Sequence, residues 1–217
     1  MDKLRLRFAK TGRAVYISHL DLMATMQRAF ARAGYRLQYS EGFNPHPLIS
    51  ILLPLSVGTA SVCELMDFRL REDADLQTLP VRLTEALPEG LYVLEAYVSE
   101  RKSAELKWLD VRGRLEYDRG LPAPEDLTTF FSQPEIVIEK KTKRGIGMAD
   151  IRPAIDRIAL CADDGCIRLD ARISAQEPTL NPELLAGALR AELSPDCRKQ
   201  CSACGAAGLL TEGRCDG

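Results

Sequence analysis

KLRLRFAKTGRAVYISHLDLMATMQRAFARAG, residues 3–34, holds two hydrophobic periods side by side, and the change from one to the other decides the fold. In KLRLRFAK, apolar Leu4, Leu6 and Phe8 alternate with basic Lys3, Arg5 and Arg7, the period of a half-buried strand. From Ser18 the period lengthens. Leu22, Met23, Met26, Ala29, Phe30 and Ala33 fall on one helical face, with Asp21, Thr25, Arg28 and Arg32 on the other. Ser18 can cap this helix, Asp21 three residues on completes a capping box, and Gly34 stops it.

Beyond Gly34 come YRLQYS, a loop NPHP, the apolar run LISILLPL and the alternating VCELMDFRLR. A helix over LQTLPVRLTEAL and a strand over LYVLEAYVSE follow. Strand, helix, two strands, helix, strand is the ferredoxin-like order. The second half repeats the pattern without residue-level identity. LKWLDVRGRLEYD reads as a strand, PEDLTTFFS as a helix from Pro124, and EIVIEKKT with IGMADI as a hairpin about Lys143, Arg144 and Gly145. DIRPAIDRIAL then reads as a helix with Pro153 in its first turn, CIRLDARISA as a strand and NPELLAGALRAEL as a final helix. The expected fold is α+β: two ferredoxin-like (βαββαβ) units in tandem, over residues 1–105 and 106–194, and a short cysteine-rich C-terminal tail over 195–217. One continuous α+β domain is the alternative.

A chain of 217 residues, 46% hydrophobic and 28% charged, is long enough for two small cores. It contains no apolar run of membrane-span length, and its start, MDKLRLRF, is charged from the second residue, so a cytoplasmic protein without signal peptide or membrane anchor is expected. The net charge of −2 argues against coating nucleic acid by bulk electrostatics, but the charge is unevenly spread. Residues 1–40 carry eight basic side chains against two acids, and Lys140, Lys141, Lys143 and Arg144 form a second basic run. Such patches bind anions or are solvated faces of ordinary elements.

Of seven cysteines, four crowd into the last 21 residues: Cys197, Cys201, Cys204 and Cys215. Thiolates three and four apart on a tight turn, with a fourth to close a tetrahedron, suit zinc ahead of an iron–sulfur cluster. The first three also share the C-x3-C-x2-C spacing of radical S-adenosylmethionine enzymes. There the cysteines stand near the start of a large barrel, whereas thirteen residues follow Cys204 here. Cys63, Cys161 and Cys166 lie in or beside apolar segments and read as small hydrophobes.

YSEGFNPHPLIS, residues 39–50, is too apolar for a disordered linker and too broken for a helix or strand. Pro45 and Pro47 restrict the backbone on both sides of His46, and Gly42 supplies a turn. Two readings stand. In one, the loop is a rigid connection with Phe43 plugged into the core. In the other it is a binding loop, Phe43 still its core anchor, in which Glu41 and Asn44 complete a polar cluster with His46. If the loop folds back over the first helix, His19, Asp21, Arg28 and His46 surround one pocket. A lone histidine is more often structural than catalytic.

With AVYISHLDLM, YSEGFNPHPLIS and LPLSVGTAS in view, the chain resembles the radical-SAM-linked family of bacterial proteins. Members carry a domain of unknown function, fused to or encoded beside a B12-type radical S-adenosylmethionine protein. The resemblance covers most of residues 1–190 and is strongest over 14–67; PDCRKQCSACG is similar to the cysteine-containing end of the radical-SAM partner. The resemblance implies a radical-SAM protein as partner and supplies no activity. A tandem ferredoxin-like layout with a basic face is similar, in pattern only, to Cas6-type CRISPR RNA endonucleases.

Three functions are therefore open. The first is an RNA-binding or substrate-presenting adaptor for the radical-SAM partner, using Ser18, His19, Asp21, Arg28, Arg32, Glu41, Asn44, His46 and the run Lys140, Lys141, Lys143 and Arg144. The second is a metal-independent ribonuclease or transferase with His46 or His19 as general acid or base. The third is a protein-interaction subunit without nucleic acid. The aromatic content of only 6% weighs against RNA recognition.

Overall fold

The change of period at Ser18 is realised in a computed structural model, which describes residues 3–116, 124–142, 145–163, 166–193 and 204–208. The architecture is mixed α+β with antiparallel sheets and few helices, and the chain divides into Met1–Glu105 and Leu106–Gly217. Among the described residues, no helix is long and apolar enough to cross a membrane.

The first unit runs β1 (Leu4–Lys10), α1 (His19–Arg32), β2 (Ile49–Leu52), β3 (Ala60–Phe68), α2 (Leu79–Ala86) and β4 (Leu91–Val98). Its strands lie in the order β4-β1-β3-β2, every neighbour antiparallel. The register pairs Leu6 with Met66 and Leu4 with Phe68, so the apolar residues of β1 and β3 share one face. That face packs against Leu22, Met26, Ala29 and Phe30 of α1 and Leu79 and Leu83 of α2, with the Phe30 and Phe68 rings 5.0 Å apart. Burial of this stripe, rather than propensity, holds the helices.

The ends of α1 follow from single residues. Ser18 Oγ accepts from the Asp21 N–H at 3.2 Å and donates to Asp21 Oδ2 at 2.7 Å. The reciprocal half of the expected capping box is absent, because the short aspartate reaches the hydroxyl rather than the backbone. At the other end the Tyr35 N–H donates to Phe30 O and the Gly34 N–H to Ala31 O, with Gly34 at φ +83°. That left-handed stop satisfies the last carbonyls and is open to glycine at little cost.

The second unit runs β5 (Trp108–Glu116), α3 (Pro124–Phe131), β6 (Val137–Thr142), β7 (Gly145–Asp150), β8 (Ile155–Asp163), β9 (Cys166–Ser174), α4 (Pro182–Leu193) and β10 (Cys204–Gly208). Strands β10, β5, β9 and β8 pair antiparallel in that order, and β6 with β7 forms a separate two-stranded sheet. The alternation of β9 buries Ile167, Leu169, Ala171 and Ile173.

One expected element is corrected. DIRPAIDRIAL is not a helix: Arg152–Ala154 forms a single 3₁₀ turn and Ile155–Asp163 is a strand along β9. A register shift between Ile155 and Arg157 inserts an extra residue. The bulge spaces Ile155 and Ile158 three apart, the spacing of a helix face, while half-buried Ile158 and Leu160 alternate with exposed Ala159 and Cys161 as a strand should. The element order of this unit is therefore β-α-β-β-β-β-α-β, not the βαββαβ expected over 106–194.

Candidate functional site

Each antiparallel strand of the first unit returns the chain to one of two ends of its sheet, and those ends separate the sequence's candidate residues. β1 leaves the Leu4 end and reaches Lys10, after which α1 begins at His19 and runs back. Fourteen helical residues span roughly 20 Å. Leu4 and Ile49 both pair with Phe68, so His46, three residues before Ile49, belongs to the Leu4 end. His19 and His46 thus lie at opposite ends, and the single pocket of His19, Asp21, Arg28 and His46 does not form. Ser18 and Asp21 are engaged with each other as a helix cap, and His19 is exposed beside them.

At the Leu4 end, residues 39–47 make a closed loop. Tyr39 bridges Pro47, the Ser40 N–H donates to His46 O at 2.8 Å, and the His46 N–H donates to Ser40 Oγ at 3.1 Å. Ser40 Oγ also lies 2.9 Å from His46 Nδ1. Whichever tautomer the ring adopts, Nε2 is the nitrogen turned away from Ser40. Glu41, Asn44 and His46 are exposed. Phe43 is fully exposed at 110%, which overturns its expected role as a core plug. An apolar residue between Gly42 and Asn44 in a loop has no periodic position to carry it inward. The hydrogen bonds at the loop's base hold its shape instead.

The root of this loop sets Arg69 and Arg71, which no sequence motif singled out, beside Arg36 of the N-terminal basic patch. Leu37 bridges Leu70 with both side chains buried, and the flanking Arg36, Arg69 and Arg71 are exposed. The Arg71 guanidinium sits 6.0 Å from the centroid of the half-exposed Tyr39 ring, and Arg36 pairs with Glu72 at 3.6 Å. The signal was present in FRLR, where the alternation that buries Phe68 and Leu70 sends Arg69 and Arg71 to the opposite face.

Arg28 and Arg32 line a shallow groove of about 430 Å³ with Thr25, Ala86, Leu87 and Pro88. Arg32 is committed within it, donating to Ala86 O at 2.6 Å and so satisfying a carbonyl at the end of α2. Arg28 is exposed on the same helical face.

At the Lys10 end a second polar group was also missed. Glu64 pairs with Phe8, on the face that carries Met66 and Phe68, and is 1% exposed. Burial pushes its carboxyl up to about 7, against a Ser61 hydrogen bond and the Lys10 charge, and its Oε1 has no hydrogen-bond partner. Lys10, 2% exposed, is pulled below the usual lysine range by burial, opposed by Glu64. The strands slip register between Phe8 and Lys10, which brings Lys10 opposite Ser61.

In the second unit, Lys140 and Lys141 stand in β6 opposite Gly147 and Ile146, while Lys143 and Arg144 lie outside the described residues. Of the proposed metal ligands, Cys197, Cys201 and Cys215 also lie outside them, and Cys204 opens β10. Among the described residues no group of three metal-binding side chains occurs. Cys63 and Cys166 are buried, whereas Cys161 is exposed on β8.

No curated protein matches the chain in sequence. A crystal structure titled as an unknown protein from Galdieria sulphuraria is similar over 88% of each chain at 10% identity, with a TM-score of 0.28, a level that defines neither fold nor function. A family model described as uncharacterized protein conserved in bacteria (DUF2344) matches residues 3–182. The chain belongs to that family.

Proposed function

We propose that this protein is an RNA-binding adaptor that presents substrate to a radical-SAM partner, and that its first unit is a ferredoxin-like platform read at the Leu4 end. The observation that carries the reading is Phe43, fully exposed at the tip of a loop whose base is locked by Ser40 and His46. Leaving a large apolar ring in water forfeits about 1.5–3 kcal/mol of burial, and no folding role recovers it. An unpaired base recovers it by stacking on the ring, with half-exposed Tyr39 in the same loop and Arg36, Arg69 and Arg71 at the same end of the sheet for phosphates. His46 Nε2 supplies a hydrogen bond. The ribonuclease alternative has less support, since His46 and His19 stand at opposite ends and the side chain bonded to His46 is a serine.

The radical-SAM partner rests on the resemblance of SHLD and SEGFNPHP, and the zinc site of Cys197, Cys201, Cys204 and Cys215 on their spacing. The cytoplasm is the compartment in which both would operate. Fluorescence anisotropy with a labelled single-stranded RNA tests the central claim. Phe43→Ala should weaken binding roughly 5- to 100-fold, the worth of one stacked base, with unfolding unchanged. Equal affinity of wild type and variant would discard the loop as a base-binding element. Affinity purification from the native cell should recover a radical-SAM protein, and elemental analysis should find one zinc per chain; failure of either removes that part of the proposal.

A further inference from the structure

Strand β4 is the outer strand of the first unit, and its two halves are finished differently. Among the described residues it pairs with β1 alone. In an antiparallel ladder every second residue turns its N–H and C=O away from the partner strand. The Thr11 N–H donates to Gly90 O at 2.8 Å and the Ser99 N–H to Lys3 O at 2.8 Å, which fixes the phase at both ends of the pairing. The residues turned outward are therefore Leu91 and Val93 before the register shift, and Ala96 and Val98 after it.

The first pair is closed from within the chain. The Leu91 N–H donates to Pro88 O at 3.2 Å. The Val93 N–H donates to Thr84 Oγ1 of α2 at 3.0 Å, and that hydroxyl lies 3.4 Å from Val93 O. The second pair has no such closure: among the described residues, no hydrogen bond reaches the outward groups of Ala96 or Val98. Beside them Leu94 is 44% and Val98 45% exposed. Leu94–Val98 also contains no lysine and no proline, the residues that usually blunt a sheet edge. By contrast β8, the outer strand of the second unit, carries exposed Asp156 and Arg157 and a bulge.

We propose that the Leu94–Val98 edge pairs antiparallel with the same edge of a second copy of this chain, joining the two first-unit sheets edge to edge. The proposal does not rest on the RNA reading above. Open backbone groups two residues apart select an extended strand as occupant, and the side chains select this one. In the two-fold register centred on Tyr97, Ala96 of each copy stands opposite Val98 of the other and exchanges both backbone hydrogen bonds with it. Small Ala96 leaves room for branched Val98, and both lie on the face that carries Leu4 and Leu6. Glu95, the one charged residue of the stretch, meets Ser99 of the other copy, and its charge is already paired with Arg7 at 2.7 Å. No like charges stand opposite each other, and a charged peptide would gain nothing here.

Sedimentation equilibrium of the full chain from micromolar to millimolar concentration tests this, with amide hydrogen exchange read at both extremes. Wild type should dimerise, and the Ala96 and Val98 amides should exchange more slowly at high concentration than at low. Val98→Lys should raise the dissociation constant roughly 10-fold or more, since two symmetry-related cross-strand pairs are lost together. Its unfolding should match wild type, because the residue is half-exposed. Ala96→Pro, which removes an outward N–H that β1 does not use, should weaken the dimer in the same way. A wild type that stays monomeric throughout would overturn the proposal. So would a dimer in which the Ala96 and Val98 amides gain no protection, or one that Val98→Lys leaves intact, since its interface would lie elsewhere.

Discussion

Glu64 in the first unit and Asp110 in the second both sit on inner strands, and the two units treat them in opposite ways. Asp110 receives a bidentate guanidinium from Arg172, at 2.9 and 3.0 Å, with Arg157 at 3.5 Å. The Arg172 hydrogen bond, ahead of burial, holds its carboxyl below the usual range. Glu64 is deeper, has no ion pair within 4 Å among the described residues, and keeps one oxygen without a partner. Asp110 is thus closed within its own sheet, whereas Glu64 is not. The first unit leaves one buried carboxyl oxygen, Glu64 Oε1, without a hydrogen bond at one end and the Phe43 ring in water at the other. Open valences of that kind cost stability, and each calls for its own explanation.

Four substitutions sharpen this contrast, each read by denaturant unfolding. The largest effect belongs to the buried pair of the first unit, where Arg5 Nε donates to Asp67 Oδ1 at 2.6 Å and both residues are buried. Asp67→Ala should cost about 3–5 kcal/mol, because it strands a buried guanidinium. A loss below about 1 kcal/mol would mean that solvent reaches Arg5 and that the first unit is no drier than the second.

Glu64 comes next, with a pH signature of its own. Its folded pKa of about 7 lies above the ordinary 4.5. Between those values the folded chain binds more protons than the unfolded chain, so this group makes stability fall as pH rises from about 4.5 to 7. Glu64→Gln should flatten that slope and stabilise the protein by about 1–3 kcal/mol at pH 8. A variant that is less stable than wild type at pH 8 would show that Lys10 needs the carboxylate.

Asp110→Ala, by contrast, should cost only about 1 kcal/mol, since the pair is partly exposed and water screens it. The loss should shrink in high salt. With its pKa lowered, Asp110 contributes above the ordinary carboxylate range, and the contribution fades as pH falls through the folded pKa. Smallest of all is Phe43→Ala, expected within about 0.5 kcal/mol of wild type because the ring touches little. A cost of 3 kcal/mol would return Phe43 to the core and end its candidacy as a contact.

The elements that could be read from the chain alone were those whose neighbours in sequence are also their neighbours in the pattern. β1 and α1 carry a period of two and of 3.6, and a period is a statement about one face, available without knowing what covers it. Gly34 and Ser18 were legible for the same local reason: a stop and a cap act within one turn. The same rule put Glu64 in line with Met66 and Phe68, although a charged residue on an apolar face is easily passed over.

Tertiary structure alone decided the rest. Whether Ile155 and Ile158 mark a helix or a bulged strand depended on β9 lying alongside, because a bulge and a helical turn share a three-residue spacing. Whether Phe43 turned inward depended on hydrogen bonds between Ser40 and His46 that fix the loop's shape independently of its apolar residue. That His19 and His46 stand at opposite ends followed from the direction in which α1 returns along β1, a property of the sheet's strand order and of no motif. Sequence determines which side of an element is apolar, since that is written within a few residues. Distances between elements are set by pairings that close long loops, and no local pattern encodes them.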